Sequence, residues 1–130
     1  HRTKTTSGYF NYIYVRMGAH TLIHKRTEDD IWKNLFELPL VETEKDLSEE
    51  EFLACPQFHA LFAEGEVRMV RTLLRGVKHV LSHRVIYTNF YEVTLPDNSS
   101  SFSSYQRVAV EDLGRYAVPR LIHAFLEKYV

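Results

Sequence analysis

A single cysteine, Cys55, occurs in the 130 residues of this chain. One thiol cannot form an internal disulfide, and neither a structural zinc cluster nor an iron–sulfur cluster can be assembled around it, so a reducing, cytoplasmic setting is expected. Long apolar runs are also missing. None approaches the roughly eighteen residues that span a bilayer, and no secretory leader precedes the first β-prone stretch, so no membrane association is expected. With only five glycines the chain has no phosphate-binding glycine loop. It also has no nucleophile elbow and no Cys/His pair with a supporting signature. His79 and His83 lie four apart, but their neighbours are β-prone, no Glu follows His79 and no third ligand is evident, so a metal is not expected there. The last absence is of one sign of charge. From Val67 through Tyr91 there is no Asp or Glu, against five Lys or Arg (Arg68, Arg71, Arg75, Lys78, Arg84) and two His.

What is present is the composition of an ordinary globular protein, 45% hydrophobic and 25% charged, of a length that makes one domain with a substantial core. The first residue is His, not Met, which suggests a fragment of a longer protein. Because the formal net charge is only −1, the basic window must be balanced elsewhere: Glu37, Glu42, Glu44, Asp46, Glu49, Glu50 and Glu51 fall within fifteen positions. A basic segment beside aromatic and small polar groups can bind phosphate and touch bases. Alternatively, it is a solvated strand whose cations neutralise the acidic stretch across the fold. Charge alone leaves both readings open.

The local pattern is α+β. Residues 1–7 are polar and read as the end of an interdomain linker, followed by one domain over 8–130. Tyr9–Arg16 is β-branched and aromatic on both alternating faces, as in a strand covered on two sides, and Thr21–Arg26 returns as a second strand. Trp32, the only Trp, reads as core. Glu37–Glu42 is a short strand in which Pro39 implies an edge or irregular position. Ser48 with Glu51 forms a capping box that opens a helix, and Pro56 should break it before a second piece over Gln57–Ala63. Val67–Leu74 and Val77–Leu81 read as one or two β-segments punctuated by Gly76, and Val85–Leu95 and Tyr105–Val110 as further β-segments, with a tight connection presenting Ser82. Residues 96–101 read as a mobile loop. A final helix after Pro119 carries Leu121, Ile122, Phe125, Leu126 and Tyr129 on its apolar face.

Three blocks point further. Val77-Lys78-His79-Val80-Leu81-Ser82-His83, followed by Arg84-Val85-Ile86-Tyr87, resembles the C-terminal domain of MutY-type adenine DNA glycosylases, where a His-x-(Phe/Leu)-Ser-His segment forms a loop beside the lesion. Asp30 to Leu40 (DIWKNLFELPL) and Tyr116 to Leu121 (YAVPRL) match the same family, in its order. The resemblance implies a MutT-like (Nudix) fold, a mixed sheet sandwiched between helices. It would read 8-oxoguanine opposite adenine in duplex DNA during base excision repair. A separate N-terminal helical domain, carrying a 4Fe-4S cluster, would remove the adenine. The parent would be an adenine glycosylase acting in the bacterial cytoplasm at the nucleoid, and this fragment would be non-catalytic, with no cofactor of its own. Leu81, Ser82 and His83 are the expected lesion readers, and Arg75, Lys78, His79 and Arg84 the expected DNA-backbone contacts. Leu81 stands where many members carry Phe.

The chemistry of that reading is specific. Guanine has an acceptor at N7, whereas 8-oxoguanine carries a hydrogen there, so a Ser82 hydroxyl or carbonyl can accept from the lesion. One such contact is worth about 1–3 kcal/mol of discrimination. The rival reading, a stand-alone Nudix hydrolase, needs glutamates spaced along a helix to hold magnesium (Gx5Ex7REUxEExGU). Here Leu40 and Val41 replace the expected glycines, and Ala54-Cys55-Pro56-Gln57-Phe58-His59 stands where the carboxylates should fall. Glu49, Glu50 and Glu51 are consecutive and point about 100° apart on a helix, so they cannot converge on one metal. A protein-interaction domain is the third reading.

Overall fold

The computed structural model describes residues 6–27, 33–81 and 84–129, without the side chains of residues 6, 7 and 81. Along the chain run β1 (Thr6–Arg16), β2 (His20–Lys25), β3 (Phe36–Glu37), β4 (Leu40–Thr43), α1 (Glu49–Ala54), α2 (Pro56–His59), β5 (Met69–Leu81), β6 (Arg84–Thr94), β7 (Gln106–Ala109), a 3-10 segment (Val110–Arg115) and α3 (Arg120–Tyr129). The strands form a four-stranded sheet in the order β4-β1-β6-β5 and a three-stranded sheet in the order β3-β2-β7. In the larger sheet β1 and β6 are parallel and the other pairs antiparallel. The architecture is the expected α+β mixed sheet with helices on both faces. Among the described residues no helix is long and apolar enough to cross a membrane.

Alternation along β1 and β6 puts large residues on both faces, which is why both faces are covered. On one face Phe10, Tyr12, Tyr14, Ile86 and Phe90 pack with Leu121, Ile122 and Phe125 of α3, and the Phe90 and Phe125 rings stack at 4.1 Å. On the other, Ile13, Val15, Val41, Tyr91 and Val93 pack with Phe52 of α1 and Phe58 of α2. Each of these fully buried apolar side chains contributes about 1.5–3 kcal/mol.

Several boundaries shift for identifiable reasons. β1 begins at Thr6, inside the segment expected to be linker, because residues 6 and 7 pair with Arg84 and Val85. The single strand expected over Glu37–Glu42 is two strands in different sheets. β3 pairs with β2 and β4 with β1, and the chain crosses at Leu38-Pro39, where the Pro39 carbonyl accepts from the Ile13 amide at 2.9 Å. Proline, with no N–H to give, suits that switch. The Ser48 capping box is formed in both directions, and the helix breaks where Pro56 requires, although the second piece is only Pro56–His59. The β-segments either side of Gly76 are one strand, β5, with register slips between Thr72 and Leu74 and between Leu74 and Val77. Gly76 takes φ +70°, a left-handed conformation that a side chain would strain.

The loop after β6 departs furthest from expectation. Composition alone suggests mobility, yet the Glu66 carboxylate accepts from the hydroxyls of Ser99 (2.5 Å) and Ser101 (2.8 Å) and from the Ser100 amide (3.2 Å). Ser101 also accepts from the Ala63 amide, and is buried. The serines tie the loop down because an anion stands among them. Trp32 lies outside the described residues.

Candidate nucleic-acid interface

β5 and β6 form a long antiparallel hairpin in which Leu81 pairs with Arg84, only residues 82 and 83 intervening in the sequence. Of the expected lesion readers, Leu81 is therefore the last residue of β5. Its side chain, and all of Ser82 and His83, lie outside the described residues.

The expected backbone contacts are distributed unevenly. Arg75 is an internal tie: its guanidinium donates to the Tyr91 hydroxyl (2.7 Å), the Leu47 carbonyl (2.9 Å) and Asp46 (3.3 Å), fastening the β4–α1 connection to the sheet. Burial raises the Tyr91 hydroxyl above its ordinary pKa, while Arg75 opposes that rise. Arg71 is bound to Glu92 at 2.9 Å. Arg84 folds over the Phe10 ring, 5.2 Å from its centroid, and lies across Gly8, 2.6 Å from where a Cβ would stand. His79 pairs with Ile86 in the sheet and is half-buried on the α3 side. Lys78 is exposed, with no ion-pair partner among the described residues. Arg75 thus meets the acidic stretch at Asp46, as the neutralising alternative expects, Arg71 pairs instead with Glu92, and of the four expected contacts Lys78 is the exposed cation with no ion-pair partner among the described residues.

Two features were not legible as sites in the sequence. Register places Lys78, Tyr87, Tyr9 and Thr43 side by side across all four strands on the α1 side of the sheet. The two tyrosine rings stack at 5.5 Å, inclined by 20°. Each had read simply as a β-forming aromatic, and nothing local reveals that β1 and β6 are neighbours. The second feature is buried charge. Arg26 and Glu37 are each only 2% exposed, and Arg26 Nη1 donates to both Glu37 oxygens at 2.9 Å. The Tyr12 hydroxyl (3.3 Å) and His24 Nε2 (3.2 Å) face the same carboxylate. Burial, reinforced by Glu37, lifts the Tyr12 pKa well above the phenol range. The only sequence signal was Arg26 following a strand and Glu37 between apolar residues.

The α1 carboxylates have local work. Glu51 closes the capping box, and its bonds to Ser48 hold its pKa below the usual carboxylate value. Glu49 accepts from the Thr72 hydroxyl at 2.6 Å. Cys55, with extended backbone angles, separates α1 from α2.

A family model described as "NUDIX domain" matches residues 11–128. The chain belongs to the NUDIX domain family. No curated protein matches the sequence. Among solved structures, this NUDIX domain is similar to the C-terminal domain of mouse MUTYH, solved in complex with human PCNA (TM-score 0.70, 15% identity, 94% of this chain and 86% of that one). It is also similar to the MutT protein of Methanosarcina mazei (TM-score 0.60, 17% identity, 98% and 95%) and to Ap4A hydrolase of C. elegans (TM-score 0.54, 13% identity, 96% and 96%). At these identities the likeness is one of fold.

The hydrolase reading needs a magnesium ion held by helix carboxylates, and the described side chains do not suit one. Among the described residues no three His, Cys, Asp or Glu side chains converge as a metal site. The helix that should carry spaced glutamates is cut at Cys55-Pro56 after its first six residues.

Proposed function

We propose that this NUDIX domain is the lesion-reading part of an adenine DNA glycosylase, sensing 8-oxoguanine opposite adenine in duplex DNA. A separate catalytic domain with an iron–sulfur cluster would cut the adenine glycosidic bond. The observation that carries the reading is the sequence Lys78-His79-Val80-Leu81-Ser82-His83-Arg84, whose described residues are the end of β5, with Lys78 exposed, and the start of β6. The broken helix and the similarity in fold to the mouse MUTYH C-terminal domain support it. In this reading Ser82 accepts the N7 hydrogen that only the oxidised base carries. Leu81 and His83 flank it against the base and sugar, and Lys78 meets phosphate.

The test is binding of the chain to duplexes that differ only in 8-oxoguanine:adenine against guanine:adenine, by fluorescence anisotropy at 50 mM salt. A preference of roughly 5- to 150-fold for the oxidised duplex, abolished in Ser82→Ala, is expected from about 1–3 kcal/mol per contact. Equal affinity for the two duplexes would overturn the proposal. So would turnover of 8-oxo-dGTP with magnesium, which would establish the hydrolase reading suggested by the MutT-like fold. A protein-interaction role is favoured by one observation, that the mouse neighbour was solved bound to human PCNA. Binding to such a clamp without any binding to DNA would establish it instead.

A further inference from the structure

The larger sheet has a region that neither core reaches. Facing α1 and α2, its lower part is sealed by Phe52 and Phe58, and the Arg75 tie to Asp46 and Leu47 closes that covered zone. Toward the hairpin end, the row Lys78–Tyr87–Tyr9–Thr43 continues the same face, with Val80 and Val85 paired above it. Tyr9, Tyr87, Val80 and Val85 belong to neither hydrophobic cluster, and Val80 is 65% exposed, the largest value among the large hydrophobic side chains of the described residues. Lys78 and Val80 are exposed, and Tyr9, Tyr87 and Val85 are half-buried without belonging to either core.

We infer that the Tyr9–Tyr87 row is a shelf on which an unpaired base of a nucleic-acid strand stacks, with Lys78 at a phosphate of the same strand. The inference rests on the proposed function for the partner being DNA, but its geometry is independent of the lesion-reading residues. Two rings standing side by side on adjacent strands leave an outer ring face at each end of the pair, toward Lys78 and toward Thr43. Any base has a π-face for such a surface, and a neighbouring ammonium without a carboxylate partner favours a polyanion. Asp46, on the connection that follows Thr43, is already paired with Arg75.

The floor of the shelf adds a constraint on specificity. Below the tyrosines, Asn89 donates to the Asn11 side chain (3.0 Å) and accepts from the Gly76 amide (2.8 Å). Asn11 donates to the Val41 carbonyl (3.1 Å) and to Thr43 Oγ1 (3.3 Å), and Thr43 donates to the Lys45 carbonyl (2.9 Å). Asn11 and Asn89 are buried and bonded to each other, so neither is available to read a base edge. The shelf holds bases without identifying them, leaving identity to Leu81, Ser82 and His83 of the proposed function.

The test uses the chain with a single-stranded DNA decamer and with a decamer of equal charge in which the central bases are abasic. Wild type should bind the base-bearing strand about ten-fold more tightly, nearly independently of base identity. Tyr87→Ala and Tyr9→Ala should each remove most of that difference while Tyr87→Phe retains it, and Lys78→Gln should weaken both strands alike. Should Tyr87→Ala fold poorly, Tyr87→Leu removes the ring while keeping an apolar strand residue, and the same loss is required of it. Equal affinity of wild type for the two strands overturns the shelf, as does an unaltered ratio in folded Tyr87→Ala or Tyr87→Leu. Loss of the shelf's effect with the 8-oxoguanine preference intact would sink this inference alone. Loss of that preference with the shelf's effect intact would sink only the lesion-reading function.

Discussion

Arg26 and Glu37 show how a residue's role can be invisible until its neighbours are known. In the sequence, Glu37 is the first member of an acidic stretch and Arg26 the end of a strand. In the fold, both are buried and the two charges meet, with Tyr12 and His24 on the same carboxylate. Two desolvated charges balance at close range, but removing one strands the other. Arg26→Met is therefore expected to lower stability by about 3–5 kcal/mol, read from the urea midpoint, while Arg26→Met combined with Glu37→Leu should recover most of the loss. A double variant no more stable than the single one would show that the cost lies in the arginine's packing. Arg75 carries the same lesson with the opposite sign of surprise. It reads as a phosphate contact, but Asp46, Leu47 and Tyr91 already use its donors.

Elements were legible where their signals are local. Ser48 with Glu51, Pro56 and the apolar face of α3 announce a cap, a break and a packed helix, and the structure has all three, because each depends on contacts within a few residues. The crossing at Leu38-Pro39 and the ordering of the serine loop were not legible, since each depends on a partner far along the chain. The serine loop gives a pH prediction. Three serines hold the Glu66 pKa at about 2 against an ordinary 4.5. A depressed folded pKa stabilises the protein above the ordinary value, and the benefit is lost as pH falls toward the folded one. Thermal melts of wild type and Glu66→Gln should therefore differ at pH 7 and converge between pH 4.5 and 2. A gap unchanged at pH 2 would place the effect elsewhere than in the carboxylate's charge.

For the whole molecule, what matters is how many cations are free. The acid-free window holds five Lys or Arg, yet Arg71 and Arg75 are in ion pairs and Arg84 lies on Phe10. Arg68 and Lys78 remain without an ion-pair partner among the described residues. At about 0.9 counterion released per phosphate contact, log–log salt plots of duplex binding between 50 and 200 mM should have a shallow slope of roughly −2, reduced by about one in Lys78→Gln. A slope steeper than about −4 would mean that the internal pairs open on binding.

By itself the sequence determined the α+β class, the capped and broken helix and the hairpin strands, because periodicity, capping and proline act over a few residues. Only the tertiary structure decided which basic residues are held in ion pairs, that Arg26 and Glu37 form a buried pair, and that the Tyr9 and Tyr87 rings stack on one side of the sheet. Those depend on the parallel pairing of β1 with β6 and on the crossing between sheets, and contacts between distant strands leave no trace in the local order of residues.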